Sequence, residues 1–106
     1  MKAVTNALLS IVVPLYNEEE NVVLLTQKIH ESLVGCRYEI IYVDDFSSDA
    51  TRKVVKNMGD DKVNLIELKK NYGQSLALAA GIDYAHGEYS ISMDGDVQND
   101  PSEITH

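Results

Sequence analysis

Two aspartates separated by a single glycine, Asp94-Gly95-Asp96, with an amide two positions on at Gln98, follow a strand-like run near the end of the 106-residue chain. In extended geometry residues i and i+2 point to one face, so both carboxylates can converge on one point, and Gly95 lets backbone or ligand come close. Converging carboxylates repel unless a cation lies between them, and oxygen donors favour a hard ion such as Mg²⁺ or Mn²⁺. Gln98 adds a carbonyl oxygen to the set. A D-x-D triplet alone is equally a solvated turn with a helix cap, so its chemistry needs support from elsewhere in the chain.

A second acidic pair gives that support. Asp44 and Asp45 close the apolar run EIIYV, where one can accept hydrogen bonds from a nucleobase or ribose while the other caps the next helix. Capping alone accounts for one of them. Tyr16, Asn17 and Glu18 follow an earlier apolar run, and Lys70 and Asn71 a later one. Neither G-x-x-x-x-G-K nor G-x-G-x-x-G occurs, so a bound diphosphate would rely on metal charge. The remaining candidates are weaker. His30 and His86 have no partner at ligand spacing, His106 is terminal, and the single cysteine, Cys36, has no base near it in sequence.

The elements that must carry these residues alternate along the chain. LLSIVVPLY (Leu8 to Tyr16) reads as a strand buried on both faces. Glu18, Glu19 and Glu20 favour a helix start, and Val22, Leu25, Ile29 and Leu33 recur at helical spacing up to Gly35. YEIIYVDD (Tyr38 to Asp45) is a second strand; Ser47, Ser48 and Asp49 are cap candidates for a short helix ending at Gly59. KVNLIEL (Lys62 to Leu68) and the small-residue helix Gly73 to Ala85 form a third unit, and EYSISMD (Glu88 to Asp94) a fourth strand. This alternation predicts one α/β domain over residues 1–106, with a mainly parallel sheet, flanking helices and right-handed crossovers. All the polar candidates then fall at the carboxyl ends of strands, where open α/β sheets bind ligands.

Composition narrows the partners. With 9 basic and 17 acidic residues the formal charge is −8, which argues against a nucleic-acid surface or a polybasic membrane patch. No apolar run reaches the roughly 20 residues of a membrane span, and one cysteine excludes an internal disulfide. A reducing compartment is the default, and the cytoplasm the expected location.

SIVVPLYNEEENV, EIIYVDDFSSDAT, LKKNYGQSLALAAGI and SISMDGDVQNDPSEI together resemble the amino-terminal half of a glycosyltransferase family 2 enzyme with a Rossmann-like, GT-A-type fold, from about Ser10 onward. The MDGDVQNDP version is most similar to polyprenyl-phosphate sugar transferases of the dolichyl-phosphate mannose synthase-like group. The resemblance implies that Pro14, Tyr16 and Glu18 border the base and ribose of a UDP- or GDP-sugar, that Asp45 contacts the base, and that Asp94, Asp96 and Gln98 bind the Mg²⁺ or Mn²⁺ that holds the diphosphate. It implies inverting transfer of the sugar to a polyprenyl-phosphate or saccharide acceptor, at the inner face of a membrane.

Two positions depart from the family pattern. Phe46 stands where glycine is common, which predicts an altered turn and a reshaped base pocket. Lys70, a donor-site residue by the same resemblance, stands where arginine is common and lacks its planar fork. The family's general base and acceptor site follow the D-x-D segment, so the chain reads as a piece cut after the fourth strand, inactive alone and prone to self-associate. Two other readings compete: a non-catalytic nucleotide-binding module, and a phosphoacceptor receiver domain in which Asp44 and Asp45 would be the acidic pair that binds Mg²⁺ beside Asp94, the phosphoacceptor.

Overall fold

A computed structural model describes residues 7–93. The elements alternate as expected: β1 (Leu8–Leu15), α1 (Val22–Ser32), β2 (Arg37–Asp44), α2 (Thr51–Asn57), β3 (Val63–Glu67), α3 (Gln74–Tyr84) and β4 (Tyr89–Ser92). The strands form one sheet in the order β3-β2-β1-β4, and every pairing is parallel.

The near-continuous apolar character of β1 and β2 follows from their central position. Ile11, Val13 and Leu15 of β1 and Tyr38, Ile40 and Tyr42 of β2 point to one face, packing with Val22, Leu25 and Ile29 of α1 and Val55 of α2. Val12, Ile41 and Val43 point to the other, against Ala77 of α3. Alternation along each strand thus feeds two cores at once. On the α3 side the approach is close: a Cβ on Gly81 would lie 2.3 Å from Val12 Cγ1 and 2.9 Å from Val43 Cγ2, so only glycine lets the helix lie this near the sheet.

The placement of the helices follows from strand order. β1, β2 and β3 step outward in one direction, and the chain then returns through α3 to put β4 on the far side of β1. With crossovers of one hand, that reversal requires α3 to lie on the face opposite α1 and α2, where it is found. The reversal lies between β1 and β4, and in such sheets the ligand crevice opens outside the carboxyl ends of those strands.

Two boundaries differ from expectation. α1 begins at Val22 rather than in the Glu18–Glu20 run, and its first turn holds no acidic residue. The N–H groups of Glu18 and Glu19 are bonded by Thr51 Oγ1 and Asp49 Oδ2, at 2.9 and 3.3 Å, and the Val22 N–H reaches back to the Glu18 carbonyl at 3.0 Å, so the acidic run forms the turn that leads into the helix. α2 begins at Thr51, whose N–H donates to Asp49 Oδ1 at 2.9 Å, while Ser47 and Ser48 bond across to the β1–α1 loop. No helix among the described residues is long and apolar enough to cross a membrane.

Candidate functional site

The carboxyl rim of the sheet is built by cross-bonding its loops. Asn17 takes a left-handed backbone, φ 53°, which asparagine tolerates better than most residues. That turn aims Oδ1 at the β2–α2 loop, where it accepts from the N–H of Ser48 at 2.8 Å and of Asp49 at 3.3 Å. Ser47 Oγ in turn accepts the Asn17 N–H at 2.9 Å. Glu18 is half-buried beneath, its Oε1 bonded by Asn21 Nδ2 at 3.0 Å. Burial would raise the Asp49 carboxyl, but hydrogen bonds from Thr51 and Glu19 outweigh it and hold the group below the usual carboxylate range.

The adjacent aspartates have different tasks. Asp44 is fully buried; Oδ2 accepts from the Ser47 N–H at 2.9 Å and from Arg52 Nε, and Oδ1 from the Ser47 hydroxyl. Arg52 also donates from Nη2 to the Leu68 carbonyl at 2.6 Å, so one guanidinium ties β2, α2 and the end of β3 together. Asp45 is 4% exposed and turns the other way. Its Oδ1 accepts the Tyr72 N–H at 2.7 Å and its Oδ2 the Gly73 N–H at 3.0 Å, while Asn71 Nδ2 reaches its carbonyl at 3.2 Å. It therefore closes the start of α3, not of α2. Each carboxylate oxygen has a second lone pair, so Asp45 retains acceptor capacity toward the crevice.

Three aromatic residues neighbour Asp45 along the backbone. Asp45 N–H donates to the Leu15 carbonyl at 2.8 Å, which sets Tyr16 beside it, and Phe46 and Tyr72 follow from its own peptide and its Oδ1 partner. Tyr16, Phe46 and Tyr72 are 49%, 50% and 45% exposed. Lys70 is exposed, with Nζ 5.1 Å from the Tyr72 ring centroid. Pro14 sits late in β1, beyond Val12, the last residue paired with β4. The Val12 carbonyl faces β4 and strand groups alternate in direction, so the N–H that Pro14 lacks would have pointed past that pairing.

Phe46 takes a left-handed backbone, φ 65°, the region that favours glycine.

Asp94, Asp96 and Gln98 lie outside the described residues, as does His106. The chain enters that segment from β4 beside β1, the Met93 N–H donating to the Val12 carbonyl at 3.1 Å. Among the described residues no group of three or more His, Cys, Asp or Glu is placed to hold a metal. The receiver arrangement is not formed: it needs Asp44 and Asp45 to share an ion, and Asp44 is consumed by Arg52 and Ser47. The described histidines are at the other end of the sheet, His30 bonded to Tyr38 and Asp60, and His86 to Glu39. Sequence reasoning missed Arg52 altogether, because nothing in a basic residue on a short helix marks which carboxylate it will reach. The Asn17 bridge had a faint signal in asparagine's tolerance of positive φ.

Comparison with known proteins places this rim in a family. The family model for glycosyl transferase family 2 matches residues 10–106. A dodecaprenyl-phosphate galacturonate synthase of Rhizobium johnstonii is 45% identical over 102 residues, covering 91% of this chain and 30% of the relative. An undecaprenyl-phosphate 4-deoxy-4-formamido-L-arabinose transferase of Proteus mirabilis is 42% identical over 103 residues, covering 90% of this chain and 31% of the relative. The chain thus spans about 30% of the length of the curated relatives it matches. Among solved structures, a mannosyltransferase of Pyrobaculum calidifontis in complex with GDP-Man and Mn²⁺ superposes with a TM-score of 0.78 at 25% identity, over 88% of this chain and 28% of that one. The glucosyl-3-phosphoglycerate synthase of Mycobacterium tuberculosis, solved with Mn²⁺ and UDP, shares the fold at a TM-score of 0.76 and 20% identity, over 93% of this chain and 37% of that one.

Proposed function

The chain belongs to glycosyltransferase family 2, and from that membership we propose that its 106 residues form the donor-binding part of a sugar transferase acting on polyprenyl phosphate. The donor is a UDP- or GDP-sugar, and transfer inverts the anomeric centre. The observation that supports this most is that Tyr16, Asp45 and the exit of β4 lie together at the carboxyl ends of the strands where strand order reverses, the edge at which open α/β sheets bind ligands. The curated relatives act on dodecaprenyl and undecaprenyl phosphates by name, which favours a lipid phosphate over a saccharide as acceptor.

In this reading each residue has a separate task. Pro14 and Tyr16 wall the base, Glu18 borders the ribose, and Asp45 accepts a hydrogen bond from the base, its geometry fixed by the Tyr72 and Gly73 amides. Lys70 lends positive charge on the same rim. Asp94, Asp96 and Gln98 would hold Mg²⁺ or Mn²⁺; their all-oxygen donor set fits a hard cation. Such an ion, when bound, acts as a Lewis acid toward the leaving diphosphate. It also supplies positive charge that a chain of net charge −8 otherwise lacks. In this reading the 106 residues form one donor-binding domain.

Calorimetric titration of the chain with UDP and GDP, each with and without Mn²⁺, tests the reading. Metal-dependent binding of one nucleotide, abolished in Asp96→Ala, is expected and identifies the base. Binding that ignores both metal and substitution would refute the metal assignment; no binding to a folded chain would refute the donor site.

A further inference from the structure

Phe46 carries a feature the donor site as drawn above does not explain. Its backbone lies at φ 65°, a region that is a genuine outlier for a bulky side chain. Burial gives little in return, because the residue is 50% exposed. Strain held without compensation in packing is concentrated at functional positions.

The ring is nevertheless held in place. The Arg52 guanidinium carbon lies 5.7 Å from its centroid, and that guanidinium is itself fixed by Asp44 Oδ2 and the Leu68 carbonyl. The ring lies over a guanidinium that is hydrogen-bonded on its own account, and half of the residue remains open to solvent. Phe46 also follows Asp45 directly in the chain, and the Tyr72 N–H donates to the Asp45 carboxylate. A fixed aromatic face beside a buried acceptor suits a flat aromatic ligand that also carries a hydrogen-bond donor.

We propose that Phe46 is a base-contact residue: its open face stacks on the nucleobase of the nucleoside diphosphate, with Arg52 behind it. This rests on the donor-site reading and assigns to that site a contact made by the Phe46 side chain.

The test compares wild type with Phe46→Gly, Phe46→Leu and Phe46→Tyr in the full 106-residue chain, titrated with UDP, GDP and inorganic pyrophosphate in Mg²⁺, with thermal melts alongside. Loss of one stacking face is expected to weaken nucleotide binding by roughly five- to tenfold in the Gly and Leu variants. The Tyr variant should restore it, and pyrophosphate affinity should be the same in all four. The Gly variant should melt no lower than wild type, since glycine takes the left-handed backbone without strain. Unchanged nucleotide affinity in Phe46→Gly overturns the role of Phe46 and leaves the donor site standing. A loss shared equally by pyrophosphate, or not restored by tyrosine, also overturns it, as general distortion. A wild-type chain that binds neither nucleotide removes the donor-site reading and this contact with it.

Discussion

Asp44 and Asp45 are chemically identical neighbours that the fold turns to different partners, Asp44 toward α2 and Asp45 toward the start of α3. Asp44 is buried against a cation, and removing one partner of a buried pair leaves the other charge uncompensated. Arg52→Ala should therefore destabilise the chain by about 3 kcal/mol, read as a lowered midpoint in urea. A loss near that of an exposed ion pair would show that Arg52 is not structural. The sequence could deliver both carboxylates to the rim, because an apolar run ending in two acids has few other readings. It could not divide their work, since the partners lie 8 and 27 to 28 residues further along the chain. Contacts of that range are set by sheet order, which local pattern does not encode.

At the scale of elements, every strand and helix among the described residues was legible from apolar periodicity and turn residues, to within a few positions at the ends. The boundaries that moved did so where loops bond to one another. The Glu18–Glu20 run reads as a helix start by charge, yet its amides are claimed by Asp49 and Thr51. A similar clasp works at the opposite end of the sheet. Glu39 of β2 accepts from Ser10 Oγ at 2.6 Å and from the His86 N–H at 2.7 Å, and Gly87 N–H donates to Ser10 Oγ at 2.8 Å. These bonds anchor the α3–β4 turn, and Gly87 is needed there because a Cβ would stand 2.5 Å from Ser10 Oγ. Burial raises the Glu39 carboxyl, but the bonds from Ser10 and His86 outweigh it, so its pKa lies below the ordinary 4.5. A carboxylate depressed in the folded state stabilises above its unfolded pKa, and that contribution is lost as pH falls through the folded value. Glu39→Gln, which cannot titrate, should accordingly show a flatter loss of melting temperature than wild type from pH 5 downward. Parallel curves would mean that the clasp is not formed as a carboxylate.

For the whole molecule, parallel strands, reversed strand order and a rim of cross-bonded loops gather the described residues of the proposed donor site at one edge. The amino-terminal edge holds the Glu39 and His30 clusters, whose groups bond to one another. Legibility was greatest at this scale: alternating elements specify the parallel sheet, and the carboxyl-end rule then names the edge. The side-chain contacts on that edge had to be seen in three dimensions. The most direct measurement is an amide NMR map of the ¹⁵N-labelled chain titrated with UDP and GDP in Mg²⁺. Binding at the carboxyl rim predicts that the amides of Tyr16, Asn17, Asp45, Phe46, Tyr72 and Gly73 shift together and saturably, while those of Glu39, Asp60 and His86 stay fixed. Shifts confined to the amino-terminal edge, or none from either nucleotide, would contradict a donor site on this rim.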